Sequence, residues 1–160
     1  MINIVIPMAG AGSRFAKAGY KNPKPFIDVL GKPMICHVLD NLNIPDAKFI
    51  LLTRFEHYNN EQETVKWIKS NYKVEFVMID KLTEGAACTV LHAHRLINND
   101  TPLLIANSDQ IVDMDISEYI NDSKKRGLDG SVLCFEDNDK KWSYAKLDKN
   151  RFITEIREKE

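Results

Sequence analysis

The chain has few cysteines: its 160 residues include three, Cys36, Cys88 and Cys134, and none belongs to a Cys-x-x-Cys pair. This scarcity argues against a disulfide framework and against a zinc site built from cysteines, and it is typical of the reducing cytosol. Apolar runs that approach the roughly 18–20 residues of a membrane span are also missing. Met1 leads directly into an apolar segment without the basic residues of a signal peptide. We therefore expect a cytoplasmic protein that has no membrane partner.

An excess of either charge is lacking as well, since 22 basic residues face 23 acidic ones and the net charge is −1. Non-specific binding to nucleic acid requires a basic surface, so we expect no nucleic-acid partner. The basic residues are nevertheless concentrated at the start, where residues 1–41 hold five of them against two acidic residues. This bias favours an anion site near the N-terminus, although a chance fluctuation of surface charge would produce the same count.

Apolar runs alternate with amphipathic stretches along most of the chain, and a 44% hydrophobic composition is enough for a sizeable core. The predicted strands cover residues 2–7, 49–53, 74–79, 103–106 and 131–135. Helices are predicted from Pro33, over residues 60–72 and 85–97, and around residues 116–123, the third with an inward stripe of Ala87, Val90, Leu91 and His94. Residues 143–148 and 151–157 read as a hairpin. This alternation predicts an α/β fold, a Rossmann-like three-layer sandwich with a mostly parallel sheet. The loops after Ile6, Ile79 and Ala106 should then converge at the carboxyl ends of the strands.

A glycine-containing loop, Gly10-Ala11-Gly12-Ser13-Arg14, follows the first strand. It is not a dinucleotide-binding fingerprint, because Phe15 stands where close helix packing needs a third glycine, and the Gly-Lys-Ser/Thr of a P-loop is absent. A phosphate cradle completed by Arg14 fits the loop, since glycines let backbone N–H groups approach an anion closely. An ordinary turn between strand and helix fits it equally well.

A second motif, Pro23-Lys24-Pro25, places a lysine between two residues whose φ angles are fixed. A stiffened backbone holds the ammonium group in place, which is useful where charge develops on a phosphoryl group. The alternative is a solvated lysine beside an edge strand.

The order of these motifs is more specific than either one alone. The two motifs, followed by Gly31-Lys32-Pro33-Met34-Ile35, by Leu82-Thr83-Glu84-Gly85-Ala86-Ala87 and by Asn107-Ser108-Asp109-Gln110, resemble the signature of nucleotidyltransferases. This family contains sugar-nucleotide pyrophosphorylases and related cytidylyltransferases. The residues of these motifs are further similar to those of nucleotidyltransferases of bacterial capsule loci, among them the cytidylyltransferases that activate phosphoglutamine.

The resemblance implies that a phosphate oxygen of an acceptor attacks the α-phosphorus of a nucleoside triphosphate and that pyrophosphate leaves. Lys24 would stabilise the α-phosphate and Arg14 would hold the leaving pyrophosphate. Asp109 would bind Mg²⁺, although a turn residue capping a helix is the alternative there. Lys159 would contact the acceptor phosphate. The nucleotide itself would be bound by Met8, Ala9, Gly10, Ala11, Gly12, Ser13, Glu84, Gly85 and Ser108.

The resemblance further implies that residues 1–160 form one nucleotidyltransferase domain that lacks the C-terminal part of the family domain. The expected function is transfer of a nucleotidyl group, CMP from CTP, to phosphoglutamine or a sugar phosphate in capsule or surface polysaccharide biosynthesis. Two alternatives stay open: a sugar-1-phosphate enzyme that uses dTTP, UTP or GTP, and a non-catalytic nucleotide-binding domain. The sequence also leaves a homo-oligomer open.

Overall fold

The structure, a computed structural model, describes residues 1–158. It forms two compact units, Met1–Ile116 and Ser117–Glu160. The strands are β1 Ile2–Pro7, β2 Asp28–Val29, β3 Lys32–Pro33, β4 Ala47–Arg54, β5 Val74–Ile79, β6 Leu103–Ile105, β7 Tyr144–Leu147 and β8 Ile153–Arg157. The α-helices are α1 Ser13–Lys17, α2 Met34–Asn41, α3 Phe55–Asn60, α4 Gln62–Asn71, α5 Ala86–Leu91, α6 His94–Ile97 and α7 Ile116–Lys125. A 3₁₀ turn covers Lys24–Phe26.

A four-stranded parallel sheet forms the centre of the first unit, with the strand order β5-β4-β1-β6. The register places Val5 of β1 beside Ile50 of β4. Parallel strands need crossover connections, and the amphipathic helices of the chain supply them. The predicted α/β fold with a parallel sheet is therefore confirmed.

Both faces of this sheet are covered. Val5 and Ile50 share a face with Ile79, and this face packs against Val90 and Ala93 from the α5–α6 region. On the other face Ile4, Ile6 and Leu51 are fully buried, and α3 and α4 contact β4 and β5. Strands that are buried on both sides read as continuous apolar runs, which explains why β1 and β4 are visible in the sequence.

The predicted strand over residues 131–135 is wrong. These residues form no strand, and Val132, Leu133 and Phe135 are 59%, 42% and 65% exposed. An apolar run becomes a strand only when its backbone groups find a neighbouring ladder, and within the described chain no segment pairs with this run. The run has the composition of a strand, but it is not paired with any strand of the described residues.

One predicted helix has a neighbour that was not predicted, and another predicted helix is interrupted. The helix predicted over residues 60–72 is α4, Gln62–Asn71; α3 ends just before it, because Glu61 leaves helical geometry with φ −112° and ψ 34°. The helix over residues 85–97 breaks after Leu91, where the N–H groups of His92 and Ala93 bond to carbonyls three residues back and tighten the turn. The buried face also differs from the predicted stripe: Thr89, Val90 and Ala93 are buried, whereas the predicted Ala87, Leu91 and His94 are exposed.

The second unit contains most of α7 and an antiparallel hairpin of β7 and β8. A turn joins the two strands, and in it the Asp148 carboxylate accepts hydrogen bonds from the N–H groups of Asn150 (2.8 Å) and Phe152 (2.9 Å). The predicted hairpin is therefore present. Over the described residues, no helix of either unit combines the length and the apolar character needed to cross a bilayer.

Candidate functional site

The chain leaves the sheet at Gly10. Met8 and Ala9 are still buried, and the Met8 N–H donates to the Leu52 carbonyl (2.9 Å), whereas Gly10 and Ala11 are exposed. The loop therefore begins at the carboxyl end of β1, next to the end of β4. This is the edge at which α/β sheets bind their ligands.

Gly12 gives the loop its shape. Its φ of +59° and ψ of 22° lie in the left-handed region that favours glycine. Its carbonyl accepts hydrogen bonds from the N–H groups of Phe15 (3.0 Å) and Ala16 (3.2 Å), and these bonds start α1. A Cβ atom at Gly12 would lie 3.8 Å from the Cβ of Lys24. The glycine loop and the proline-flanked lysine, which are separate motifs in the sequence, are therefore in contact.

Lys24 opens a short 3₁₀ turn in which the Phe26 N–H donates to the Pro23 carbonyl (2.8 Å). Pro25 and Phe26 are buried and anchor this turn, which leaves the lysine side chain 28% exposed. Its Nζ atom lies 5.2 Å from the centre of the Phe15 ring, within the range of a cation–π contact. The same ammonium group is paired with the Asp109 carboxylate.

Asp109 reaches Lys24 because β6 is the neighbour of β1. The Ala106 N–H still bonds to the Val5 carbonyl (3.0 Å), after which the chain turns away from the sheet. The Asn107 side chain donates to the Gln110 side chain (2.7 Å) across this turn, and Ser108 is half-buried within it. The predicted glycine loop, lysine and carboxylate thus meet at one edge of the sheet.

Glu84 and Gly85 lie in the loop after β5. Because β4 separates β5 from β1, the two strands are about 9–10 Å apart across the sheet. Gly85 has extended backbone, with φ −178° and ψ 177°, and nothing stands within 4 Å of a Cβ placed on it. A cavity of about 340 Å³ beside this loop is lined by Met78, Ile79, Asp80, Lys81, Leu82, Thr83 and His92.

Two threonines hold this loop in place: Thr83 of the predicted motif, and Thr89, which the sequence analysis did not identify. The Thr89 hydroxyl donates to the Gly85 carbonyl (3.1 Å), as the Thr83 hydroxyl also does (3.3 Å), and the two hydroxyls lie 2.5 Å apart. Thr89 is only 4% exposed. The spacing of Gly85 and Thr89 is that of a threonine bonding back to the carbonyl four residues earlier, a local signal that was open to sequence reasoning.

The remaining predicted residues vary in position. Ser13 and Arg14 are exposed in the first turn of α1, beside the glycine loop. Lys159 lies outside the described residues. Within residues 1–158, no three His, Cys, Asp or Glu side chains come together as a ready-made metal site. Mg²⁺, however, is commonly held by one or two protein carboxylates together with substrate phosphates. Asp109 fits that arrangement, since its side chain is 36% exposed and is already paired with the ammonium group of Lys24.

Shifted pKa values occur on α2 and α3. Burial and the nearby Asp40 raise the pKa of the Cys36 thiol to about 11, and burial lowers the pKa of His57, whose Nδ1 is buried without a hydrogen-bond partner. The Cys36 thiol is therefore protonated at neutral pH and is not a nucleophile.

Comparison with known proteins assigns the chain to a family. A profile described as nucleotidyl transferase matches residues 4–159. The chain belongs to the nucleotidyl transferase family. The parallel sheet, the glycine loop and the Lys24–Asp109 pair all lie within the residues that match this family.

Individual relatives of this nucleotidyl transferase are sugar-nucleotide enzymes by name. The chain is 31% identical over 127 residues to the bifunctional protein GlmU of Methanococcus vannielii, an alignment that covers 79% of this chain and 29% of that protein. It is 28% identical over 134 residues to a mannose-1-phosphate guanyltransferase of Yarrowia lipolytica, covering 81% and 36%. The chain thus spans about a third of the length of these curated relatives.

A solved structure agrees with this relationship. The nucleoside-diphosphate-sugar pyrophosphorylase of Vibrio cholerae RC9 superposes with a TM-score of 0.74 at 25% identity, over 98% of this chain and 67% of that one. The fold of this nucleotidyl transferase is thus similar to that of a nucleoside-diphosphate-sugar pyrophosphorylase.

Proposed function

We propose that the protein transfers a nucleotidyl group from a nucleoside triphosphate to a phosphorylated small molecule. A phosphate oxygen of the acceptor forms a bond to the α-phosphorus. The bond between the α-phosphorus and the bridging oxygen breaks, and its electron pair leaves with pyrophosphate. The observation that carries this proposal is the meeting of Gly12, Lys24 and Asp109 at the carboxyl edge of the sheet. No protein nucleophile takes part, so catalysis consists of positioning and charge stabilisation.

The residues divide these tasks by their chemistry. Lys24, on its anchored 3₁₀ turn, stabilises the charge that develops on the α-phosphate. The Gly10–Gly12 backbone approaches the triphosphate, with Met8, Ala9, Ala11 and Ser13 completing the loop, and the planar guanidinium of Arg14 binds the pyrophosphate. Asp109 holds Mg²⁺, with Ser108 beside it, and this ion supplies neutralisation of phosphate charge. Lys159 is assigned to the acceptor phosphate.

The ion pair between Lys24 and Asp109 belongs to the substrate-free state of the protein. Each group neutralises the other while the site holds no ligand, so neither charge is left unpaired. A triphosphate attracts the ammonium group and separates the pair. An exposed pair of this kind is worth only about 0–1 kcal/mol, so the separation costs little against binding of a polyanion.

For the substrate we propose CTP, with phosphoglutamine or a sugar phosphate as acceptor, in cytoplasmic steps of capsule or surface polysaccharide synthesis. Glu84 supports this choice of base, because a carboxylate accepts a hydrogen bond from the amino group of cytosine, whereas uracil and thymine present a carbonyl oxygen there. A second candidate, a sugar-1-phosphate nucleotidyltransferase for UTP, dTTP or GTP, is favoured by the names of the relatives. Residues 1–160 would form a single nucleotidyltransferase domain, which the family match over residues 4–159 supports.

The test is release of pyrophosphate from each of four nucleoside triphosphates, with Mg²⁺ and a panel of phosphorylated acceptors. CTP with phosphoglutamine should give the highest rate, and Glu84→Gln should narrow the preference for CTP over UTP. A higher rate with a sugar 1-phosphate and another triphosphate would establish the second candidate. Tight nucleotide binding without pyrophosphate release under any condition would refute the proposed enzymatic activity and would support a non-catalytic nucleotide-binding domain.

Lys24→Met tests the mechanism. Removing one donor that acts mainly in the transition state lowers kcat by about 10²–10³, while nucleotide affinity changes much less. Lys17→Met, which removes an exposed lysine at the end of α1, is the matched control and should leave both quantities unchanged. Equal losses of kcat and affinity in Lys24→Met would contradict its assignment to the transition state.

A further inference from the structure

The Asn41 side chain forms two hydrogen bonds with one distant residue. Its amide nitrogen donates to the Val112 carbonyl (2.9 Å), and its amide oxygen accepts from the Val112 N–H (2.9 Å). Asn41 and Val112 are 71 positions apart in the chain, and both are partly buried. The pair thus fastens the loop that carries Asp109 to the last residue of α2.

The other end of α2 is fastened to the lysine segment. The Met34 N–H at the start of the helix donates to the Ile27 carbonyl (2.9 Å), directly after the turn that contains Lys24. One turn further on, the His37 ring Nε2 donates to the Val29 carbonyl (2.6 Å). The helix itself is fixed in the core, since Ile35 and Leu39 are buried.

The two halves of the site therefore share one support. Met34 and Asn41 are seven residues apart, about 10 Å along a helix, and each end bonds to the backbone of a segment that bears a charged site residue. A side-chain amide that satisfies both backbone groups of one residue permits little rotation of that residue. Val112 is only three positions after Asp109, so its fixation limits where the carboxylate can lie.

We infer that Asn41 is a positioning residue for the metal–nucleotide site: its bidentate bond to Val112 limits the positions that the Asp109 carboxylate can take once a triphosphate has separated it from Lys24. The inference rests on the proposed function and adds to it a residue on a helix that touches neither nucleotide nor metal. Outer partners that orient a metal-binding group typically change metal affinity by about 10–100-fold when they are removed.

The experiment measures Mn²⁺ binding by electron paramagnetic resonance, in the presence of each of the four α,β-methylene nucleoside triphosphates, which bind without turnover. Asn41→Ala is compared with Asn43→Ala, an exposed asparagine two residues away. Both substitutions are also made in an Asp109→Asn background. Amide hydrogen exchange at Val112 reports directly whether the fastening has opened.

We expect Asn41→Ala to weaken Mn²⁺ binding by about tenfold, at the low end of the range for such partners, and to speed exchange at Val112, while Asn43→Ala changes neither. In the Asp109→Asn background Asn41→Ala should cause no further loss of Mn²⁺ affinity, although it still speeds exchange at Val112. If Asn41→Ala fails to fold, Asn41→Asp, which keeps the bond from the Val112 N–H, gives the same comparison with a smaller effect.

Two results would overturn the inference alone: an equal loss of Mn²⁺ affinity in both backgrounds, which describes a general structural defect, or unchanged affinity despite faster exchange at Val112. A third result separates it from the proposed function. If Asp109→Asn itself leaves Mn²⁺ binding unchanged, or if no Mn²⁺ binds with any of the triphosphates, the metal assignment of Asp109 fails and the inference fails with it.

Discussion

Replacing each of the two loop glycines by alanine should change stability in opposite directions. Gly12 has a φ of +59°, whereas Gly10 lies outside the left-handed region. An L-residue in that region costs about 1–2 kcal/mol, from which the smaller entropy of the unfolded alanine chain returns about 0.4–1 kcal/mol. The new Cβ would stand 3.8 Å from that of Lys24, an ordinary contact that adds no clash.

Gly12→Ala should therefore lower the free energy of unfolding by up to about 1.6 kcal/mol. For a chain of this length that corresponds to a fall in Tm of up to about 6 °C. Gly10→Ala has nothing within 4 Å of its Cβ, so only the unfolded-state effect remains, and its stability should be unchanged or higher by up to about 1 kcal/mol.

Nucleotide affinity should follow a different order from stability. A methyl group at Gly10, in the exposed part of the loop, stands between the backbone and the triphosphate, so Gly10→Ala should weaken nucleotide binding without loss of stability. The assay is urea denaturation of both variants together with nucleotide titration by calorimetry. Equal shifts of stability in the two variants would refute the backbone argument, and unchanged affinity in Gly10→Ala would remove its N–H from the phosphate site.

Three further predictions concern groups outside the loop. Acidification below about pH 6.5 should destabilise the protein, because unfolded His57 takes up a proton there while burial holds its folded pKa lower; a pH dependence of urea denaturation that persists unchanged in His57→Gln would contradict this. At pH 8 the buried Cys36 thiol, with a pKa of about 11, should resist a disulfide reagent until the protein unfolds, whereas the two exposed cysteines react at once; rapid labelling of all three thiols in the native protein would be the contrary result. Thr89→Val should lower the free energy of unfolding by about 0.5–1.5 kcal/mol, since it removes the hydroxyl bond to the Gly85 carbonyl, which keeps the bond from the Thr89 N–H, and takes a neighbour from the Thr83 hydroxyl; Thr89→Ser should restore most of that loss, and equal losses in both variants would show that packing and not the hydroxyl matters.

The sequence predicts those parts of the fold whose cause is local. β1 begins and ends where its apolar run does, because a strand buried on both faces is apolar throughout. β5 also has the predicted bounds, although it is only partly buried. The meeting of Gly12, Lys24 and Asp109 is predictable from the order of motifs along a parallel sheet, since the carboxyl ends of its strands lie at one edge.

What sequence reasoning missed depends on distant partners or on small changes of helical geometry. The segment 131–135 has the composition of a strand, but only pairing decides whether it becomes one. The buried residues of α5 and α6 differ from the predicted stripe, and no single residue type in the sequence indicates this difference. The bond between Asn41 and Val112 joins positions 71 apart, so neither residue carries a recognisable signal in its own neighbourhood.

The central place of β1 has a consequence for the order in which the site assembles. Its residues are synthesised before those of both neighbouring strands, since Ile2 pairs with Ala47 and Asn3 pairs with Leu103. The strand can be flanked on both sides only after the ribosome has released more than a hundred residues. The glycine loop that follows β1 is therefore synthesised early but reaches its folded conformation late. Nascent chains that end before β6 should not retain nucleotide.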